Sequence, residues 1–311
     1  MAYEKVNVTM SDNITVVLHK WVPARVKAVV VLSHGMAEHA LRYQELAAAL
    51  NKKSIALYAE DHRGHGETAF IAEKMGWGTY GYLAEKNGFE RVVDDIHEEI
   101  LLAHKEFPKK KIFLFGHSFG SFVAQRVCEK YGSDIDSAII CGSAGPRLFL
   151  TRTGVCIANI VKFFKGSKSI SKFLDGLALG SNNAKIKNPR TSVDWLTRDE
   201  EQVDKYIKDD LCGFTCKTGF FCDLFKGLST IHTKSNMDRI PKTLPVFLIA
   251  GTDDPVGSYG KTVSSLYKWY KKLGIQDVSI KLYEGGRHEL VNETNKQEVI
   301  ADIIDFYTKY L

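Results

Sequence analysis

The segment Phe115-Gly116-His117-Ser118-Phe119-Gly120 sets a serine between two glycines, with an apolar run before it and a helix-like pattern after it. A G-x-S-x-G segment at a strand-to-helix turn strains the serine backbone, and glycines lacking Cβ let the flanking chain pass close by. Ser118 Oγ is then presented at the carboxyl edge of a sheet, above a helix N-terminus. The chemistry this serves is acyl transfer through a covalent intermediate on Ser118. A serine hydroxyl is a weak nucleophile at neutral pH and needs a base. For such an elbow the partners follow in the order serine, acid, histidine. Gly251-Thr252-Asp253-Asp254-Pro255 offers two carboxylates, and Glu284-Gly285-Gly286-Arg287-His288-Glu289 offers a histidine. His288 Nε2 would take the Ser118 proton and return it to the leaving group, while a carboxylate holds Nδ1–H. Of ten histidines, His288 alone combines this order with a loop after a strand-like run; His19 and His62 come too early. An oxyanion also needs donors. The expected ones are the amides of Phe119, after the nucleophile, and of Met36, in the loop Ser33-His34-Gly35-Met36 after an early apolar run.

These loops need a scaffold, and the sequence patterns one. Strand-like runs at 5–9 and 15–22 flank the turn signal Ser11-Asp12-Asn13. Further apolar runs at 28–32, 55–59, 112–115, 138–141, 246–250 and 278–282 are rich in Val, Ile and Phe, as strands buried on both faces are. Helical patterns at 89–107, 119–131, 259–273 and 296–310 separate most of them. This alternation predicts an α/β class with a mostly parallel eight-stranded sheet and helices on both faces. It stops after Gly145-Pro146 and resumes near Pro241 and Pro245. The expected division is a core of residues 1–146 and 241–311, with 147–240 an inserted, mainly helical cap. The insertion holds eight of the 17 phenylalanines, so its inner face is expected to line an apolar acyl pocket.

With 311 residues, 44% apolar and 25% charged, the composition is that of a soluble globular protein. No stretch approaches the roughly 18 apolar residues of a membrane-spanning helix, and residues 1–13 lack the apolar run of a secretory signal. The six cysteines lack paired C-x-x-C spacing, so no metal is expected, and free thiols in a reducing cytoplasm fit them. The net charge of +5 is uneven: residues 147–239 hold 16 Lys and Arg against 10 Asp and Glu, which makes the cap basic. No motif turns this into nucleic-acid binding. A weak attraction to the inner surface of a membrane is one reading; a solvated Lys-rich face is the plainer one.

Residues His34-Gly35-Met36-Ala37-Glu38-His39, Asp61-His62-Arg63-Gly64-His65-Gly66 and Gly116-His117-Ser118-Phe119-Gly120 resemble the monoacylglycerol lipase and lysophospholipase branch of the α/β-hydrolases, which overlaps the serine aminopeptidase S33 group. The resemblance runs nearly end to end and is weakest across residues 147–239. It implies the α/β-hydrolase fold, no cofactor, and Asp254 as the acid, three residues past Gly251, with Asp253 as the alternative. It implies the Met36 and Phe119 amides as the oxyanion hole, and contacts from Glu38 and Arg42 to a glycerol head group. Phe119 stands where the family often has Met, and Val291 where mammalian members have a second histidine. The 61–66 turn reads as structural. The expected reaction is hydrolysis of a lipid-like monoester, monoacylglycerol first, with lysophospholipids or short-chain esters as alternatives. An aminopeptidase would need an anionic site for the free amine, which Glu38 offers. A ligand-binding protein on a dead hydrolase fold would lack part of this machinery.

Overall fold

In a computed structural model, residues 2–311 are described. Eight strands form one sheet: β1 (Ala2–Thr9), β2 (Thr15–Val22), β3 (Ala28–Ser33), β4 (Ile55–Asp61), β5 (Lys111–His117), β6 (Ser137–Cys141), β7 (Val246–Gly251) and β8 (Val278–Tyr283). Their order is β1-β2-β4-β3-β5-β6-β7-β8. β2 runs antiparallel to both its neighbours, and the remaining pairings are parallel. The α-helices are α1 (Gln44–Lys52), α2 (Gly66–Met75), α3 (Gly88–Glu106), α4 (Phe119–Tyr131), α5 (Leu148–Lys165), α6 (Lys172–Leu179), α7 (Glu200–Lys208), α8 (Thr218–Ile231), α9 (Lys234–Met237), α10 (Lys261–Lys272) and α11 (Lys296–Thr308).

Alternation along each strand feeds two cores. Val29, Val31 and Leu114 face a layer with Val92 and Ile96 of α3 and Val123 and Val127 of α4. Val30, Leu32, Phe113 and Phe115 face Leu46 and Leu50 of α1 and Val299 and Ile303 of α11. The expected helix at 259–273 begins later. Ser258, Tyr259 and Gly260 all have positive φ, and a right-handed helix cannot start through them. The sequence reading did not anticipate α1 or α2.

Between β6 and β7 the chain leaves the sheet for α5 to α9. This segment does not stand apart from the core. Phe220, Phe221 and Leu224 of α8 join the same apolar cluster as the sheet face. A Cβ on Gly227 would lie 2.5 Å from the Phe89 ring, so α8 sits directly on α3.

Candidate active site

The nucleophile turn is built as its glycines require. Ser118 has φ 53° and ψ −120°, and its N–H donates to Cys141 O at 3.1 Å. A Cβ on Gly116 would meet Gly120 O at 2.4 Å and Ala124 Cβ at 2.5 Å, so β5 and α4 cross too closely for any side chain. Two loops at the carboxyl ends of β7 and β8 deliver the partners. They are laced backbone to backbone: Thr252 N–H donates to Tyr283 O, and Asp253 N–H to Gly286 O, each at 2.9 Å. A Cβ on Gly251 would meet Gly286 O at 1.9 Å. The result is a line of three groups. His288 Nε2 lies 2.8 Å from Ser118 Oγ, and His288 Nδ1 lies 3.0 Å from Asp254 Oδ1. Asp254 is fully buried, and its Oδ1 also accepts the Val256 N–H at 2.9 Å. Asp253, the alternative acid, is exposed.

The Met36 amide lies in the loop after β3, beside the serine. A Cβ on Gly35 would be 3.2 Å from Ser118 Cβ. The loop is held from behind by His34, whose Nε2 accepts the His62 N–H at 3.0 Å. The proton therefore sits on His34 Nδ1, which donates to Gly35 O at 2.8 Å. That carbonyl belongs to the peptide whose N–H is Met36's, so His34 orients the donor. Burial, then the neighbouring His62 and His65, push the His34 pKa well down and keep it neutral. From outside, the Tyr206 hydroxyl and the Gly213 N–H both donate to Ala37 O, at 3.0 and 2.9 Å. Phe119 opens α4, so its N–H has no carbonyl one turn back within the helix. Its ring is turned into the protein, packed near Phe89 and Phe220, with little of it left to narrow an entrance.

A cavity of about 780 Å³ opens over Ser118 and His288. Its far wall is apolar and comes from the segment after β6, with Ile157, Ala178, Leu224, Phe225 and Leu228. The insertion lines the cavity, but its phenylalanines divide between the inside and the outside. Phe214 and Phe225 line the cavity and Phe220 and Phe221 are core, but Phe149, Phe163, Phe164 and Phe173 point to solvent.

Glu38 lines the cavity; Arg42 does not. Arg42 is taken up by two carboxylates, with Nη1 2.6 Å from Glu38 Oε2 and both guanidinium nitrogens 2.6 Å from the Glu289 oxygens. Burial works against these charges. The Glu289 and Glu38 charges outweigh it and raise Arg42, while Arg42 and His117 hold Glu38 well below the usual carboxylate range. His117 Nδ1 lies 2.9 Å from the Tyr43 hydroxyl and 3.2 Å from Glu38 Oε1, and its Nε2 lies 3.3 Å from His288 O. Burial disfavours its charge, but Glu38 prevails and raises its pKa. Glu289 and His117 escaped the sequence reading, although each adjoins a residue that it singled out. Behind the site, Arg63 ties Asp12 to Asp95, and the Asp61 carboxylate accepts the Ala40 and Glu67 N–H groups.

A strained serine at a strand-to-helix elbow, with a histidine and a buried aspartate in line behind it, on this sheet order, defines a serine hydrolase of the α/β-hydrolase class. The chain belongs to the serine aminopeptidase S33 family, whose model matches residues 24–295. Among curated relatives, a monoglyceride lipase of Rattus norvegicus is 26% identical over 275 residues, covering 88% of this chain and 79% of the relative. A monoacylglycerol lipase of Mycolicibacterium smegmatis is 25% identical over 303 residues, covering 96% and 94%. Among solved structures, a thermostable carboxyl esterase from Bacillus coagulans in complex with glycerol superimposes with a TM-score of 0.91 at 25% identity, over 100% of this chain and 99% of that one.

Proposed function

We propose that this protein hydrolyses monoacylglycerol to glycerol and a fatty acid. The observation that carries the reading is the 2.8 Å approach of His288 Nε2 to Ser118 Oγ at the floor of a cavity whose far wall is apolar. Ser118 Oγ attacks the ester carbonyl as His288 takes its proton, and Asp254 stabilises the imidazolium. The Met36 and Phe119 amides receive the oxyanion. The glycerol oxygen leaves with the proton from His288. Water, deprotonated by His288, then attacks the acyl-enzyme and releases the fatty acid. No step calls for a cofactor. Residues 147–240 act as the cap, and the acyl chain lies along their apolar wall. An aminopeptidase fits less well, because the far wall of the cavity is apolar and suits an acyl chain.

The outer face of the cap meets lipid. Phe149, Phe163 and Phe164 are 88%, 84% and 78% exposed, and the same helix carries the exposed Ile160 with Arg152 and Lys165. So much exposed aromatic surface marks an interaction site, and its basic border suits an anionic lipid–water interface. Among the described residues no helix is long and apolar enough to cross a membrane, so this contact is peripheral.

The test is turnover of a panel: monoacylglycerols of several chain lengths, lysophosphatidylcholine, short p-nitrophenyl esters and an amino-acid anilide, with Ser118→Ala as the blank. Long-chain monoacylglycerol is expected to give the largest kcat/KM. A preference for the anilide or for short esters would retain the nucleophile and discard the lipid substrate.

A further inference from the structure

Two carboxylates line the cavity beside the reacting atoms: Glu38, two residues past Met36, and Glu289, the residue after His288. Both are buried. One guanidinium holds them together. Arg42 Nη1 reaches Glu38 Oε2 and Glu289 Oε1, and Nη2 reaches Glu289 Oε2, each at 2.6 Å. The Tyr206 ring covers Arg42, 4.9 Å from its centroid, and Arg42 does not line the cavity. His117 is taken up by Glu38 and the His288 carbonyl. One guanidinium is thus shared by two carboxylates and does not itself line the cavity. Arg42 donates to the two glutamates, and it is the glutamates that line the cavity. A carboxylate accepts hydrogen bonds and gives none.

The leaving alcohol takes its proton from His288 and so departs past this wall. We infer that the wall selects the alcohol half of the substrate. It admits a neutral polyol or an ammonium alcohol, whose O–H and N–H groups donate, and it turns away an alcohol carrying phosphate. Glu289 is the specificity-determining residue, because its bidentate grip keeps both guanidinium nitrogens of Arg42 from an anion. This rests on the ester-hydrolase reading above. It sets a lysophosphatidate apart from a monoacylglycerol by negative discrimination, since a phosphate near the ester would face two carboxylates with no free donor between them. One guanidinium in the cavity, that of Arg147, has no side-chain partner among the described residues. It comes from the cap side, together with the equally unpaired carboxylate of Asp175, so the two charged groups that the cap places in the cavity balance.

The experiment compares 1-oleoylglycerol, O-oleoylethanolamine and 1-oleoyl lysophosphatidate on the wild type, Glu289→Gln, Glu289→Asp and Arg147→Gln. The wild type is expected to favour the neutral and cationic esters by about 100-fold in kcat/KM. Glu289→Gln frees an edge of Arg42 and is expected to narrow that gap about tenfold, mostly through KM for the phosphate ester. Glu289→Asp keeps the charge and is expected to keep the ranking, which guards against a Gln variant that folds poorly. An unchanged gap in folded Glu289→Gln would overturn the inference. So would ready cleavage of lysophosphatidate by the wild type that vanishes in Arg147→Gln, because the cap cation would then choose the head group. If no oleoyl ester turns over, the lipid assignment fails by itself. The charge ranking is then read on butyrate esters of glycerol, ethanolamine and glycerol phosphate, where an equal rate on all three would overturn the inference.

Discussion

A methyl group on Gly120 would lie 2.0 Å from the carbonyl oxygen of Ser33. The first turn of α4 therefore rests on the end of β3 with nothing between them, and this contact sets the distance between the Phe119 amide and the loop that carries Met36. Gly120→Ala must push the two apart. The expected result is a loss of about 100-fold or more in kcat, as when an oxyanion donor is misplaced, with a stability decrease of about 1–3 kcal/mol from overpacking. Steady-state kinetics and urea unfolding on the same preparation check it. A folded variant with near wild-type kcat would mean that the two donors do not depend on this spacing.

Ser118→Ala removes the proposed nucleophile and leaves the pocket intact, so turnover should fall by about 10⁴–10⁶ while the thermal transition stays within a few degrees. The two neighbouring carboxylates make a sharper comparison. Asp254 is buried and bonded to His288 Nδ1, and Asp253 is exposed with its backbone in the loop lacing. Asp254→Asn should lower kcat by about 10⁴, because an amide can hold the imidazole in the wrong tautomer. Asp253→Asn should stay within a fewfold of wild type. The opposite ranking would move the acid by one residue.

The sheet and the reacting groups were legible for one physical reason. Central parallel strands are apolar on both faces, so each run ends abruptly where the loop with polar chemistry begins, as at Gly251. What could not be read is direction. On α5 the buried residues are Thr151, Gly154 and Ala158, because the helix lies close over Phe225, and Phe149, Ile160, Phe163 and Phe164 are left outside. This inverts the usual amphipathic rule, under which Phe163 and Phe164 would face in. The Arg42–Glu289 pairing spans 247 residues and has no local signal beyond the position of Glu289 next to His288. The left-handed Ser258 and Tyr259 were equally hidden, since neither residue type announces positive φ.

The outward aromatic face of α5 can be separated from catalysis. Phe163→Asp with Phe164→Asp should reduce binding to vesicles containing anionic lipid by about tenfold or more, since both rings leave the interface and negative charge enters a basic border. Hydrolysis of a water-soluble short ester should remain within about twofold, because neither side chain lines the cavity. Co-sedimentation with vesicles and a parallel soluble-ester assay provide the two readings. Unaltered sedimentation would leave the basic cap as a solvated face.

The last prediction concerns stability and lies away from the site. Glu60 of β4 and Glu99 of α3 are both fully buried, and neither oxygen of Glu99 nor Oε2 of Glu60 has a hydrogen-bond partner among the described residues. Burial raises the Glu99 carboxyl to about 8, against the small opposing effects of the Glu60 backbone and Lys20. Burial also raises Glu60, helped by Asp95 and Glu99. The unfolded chain releases such a proton near its ordinary value of 4.5, so between there and about 8 the folded state binds more protons than the unfolded one. Stability must therefore fall as pH rises through that window, by up to about 1.4 kcal/mol per pH unit for each proton involved. Its full contribution is present below the unfolded value and is gone above the folded one. Glu99→Gln stays neutral at every pH and should flatten the slope. The drop in Tm between pH 6 and pH 8.5 is expected to be clearly smaller in the variant than in the wild type. Equal drops would mean that Glu99 does not carry the proton, and would leave Glu60 as the group whose ionisation loosens the contact between β4 and α3.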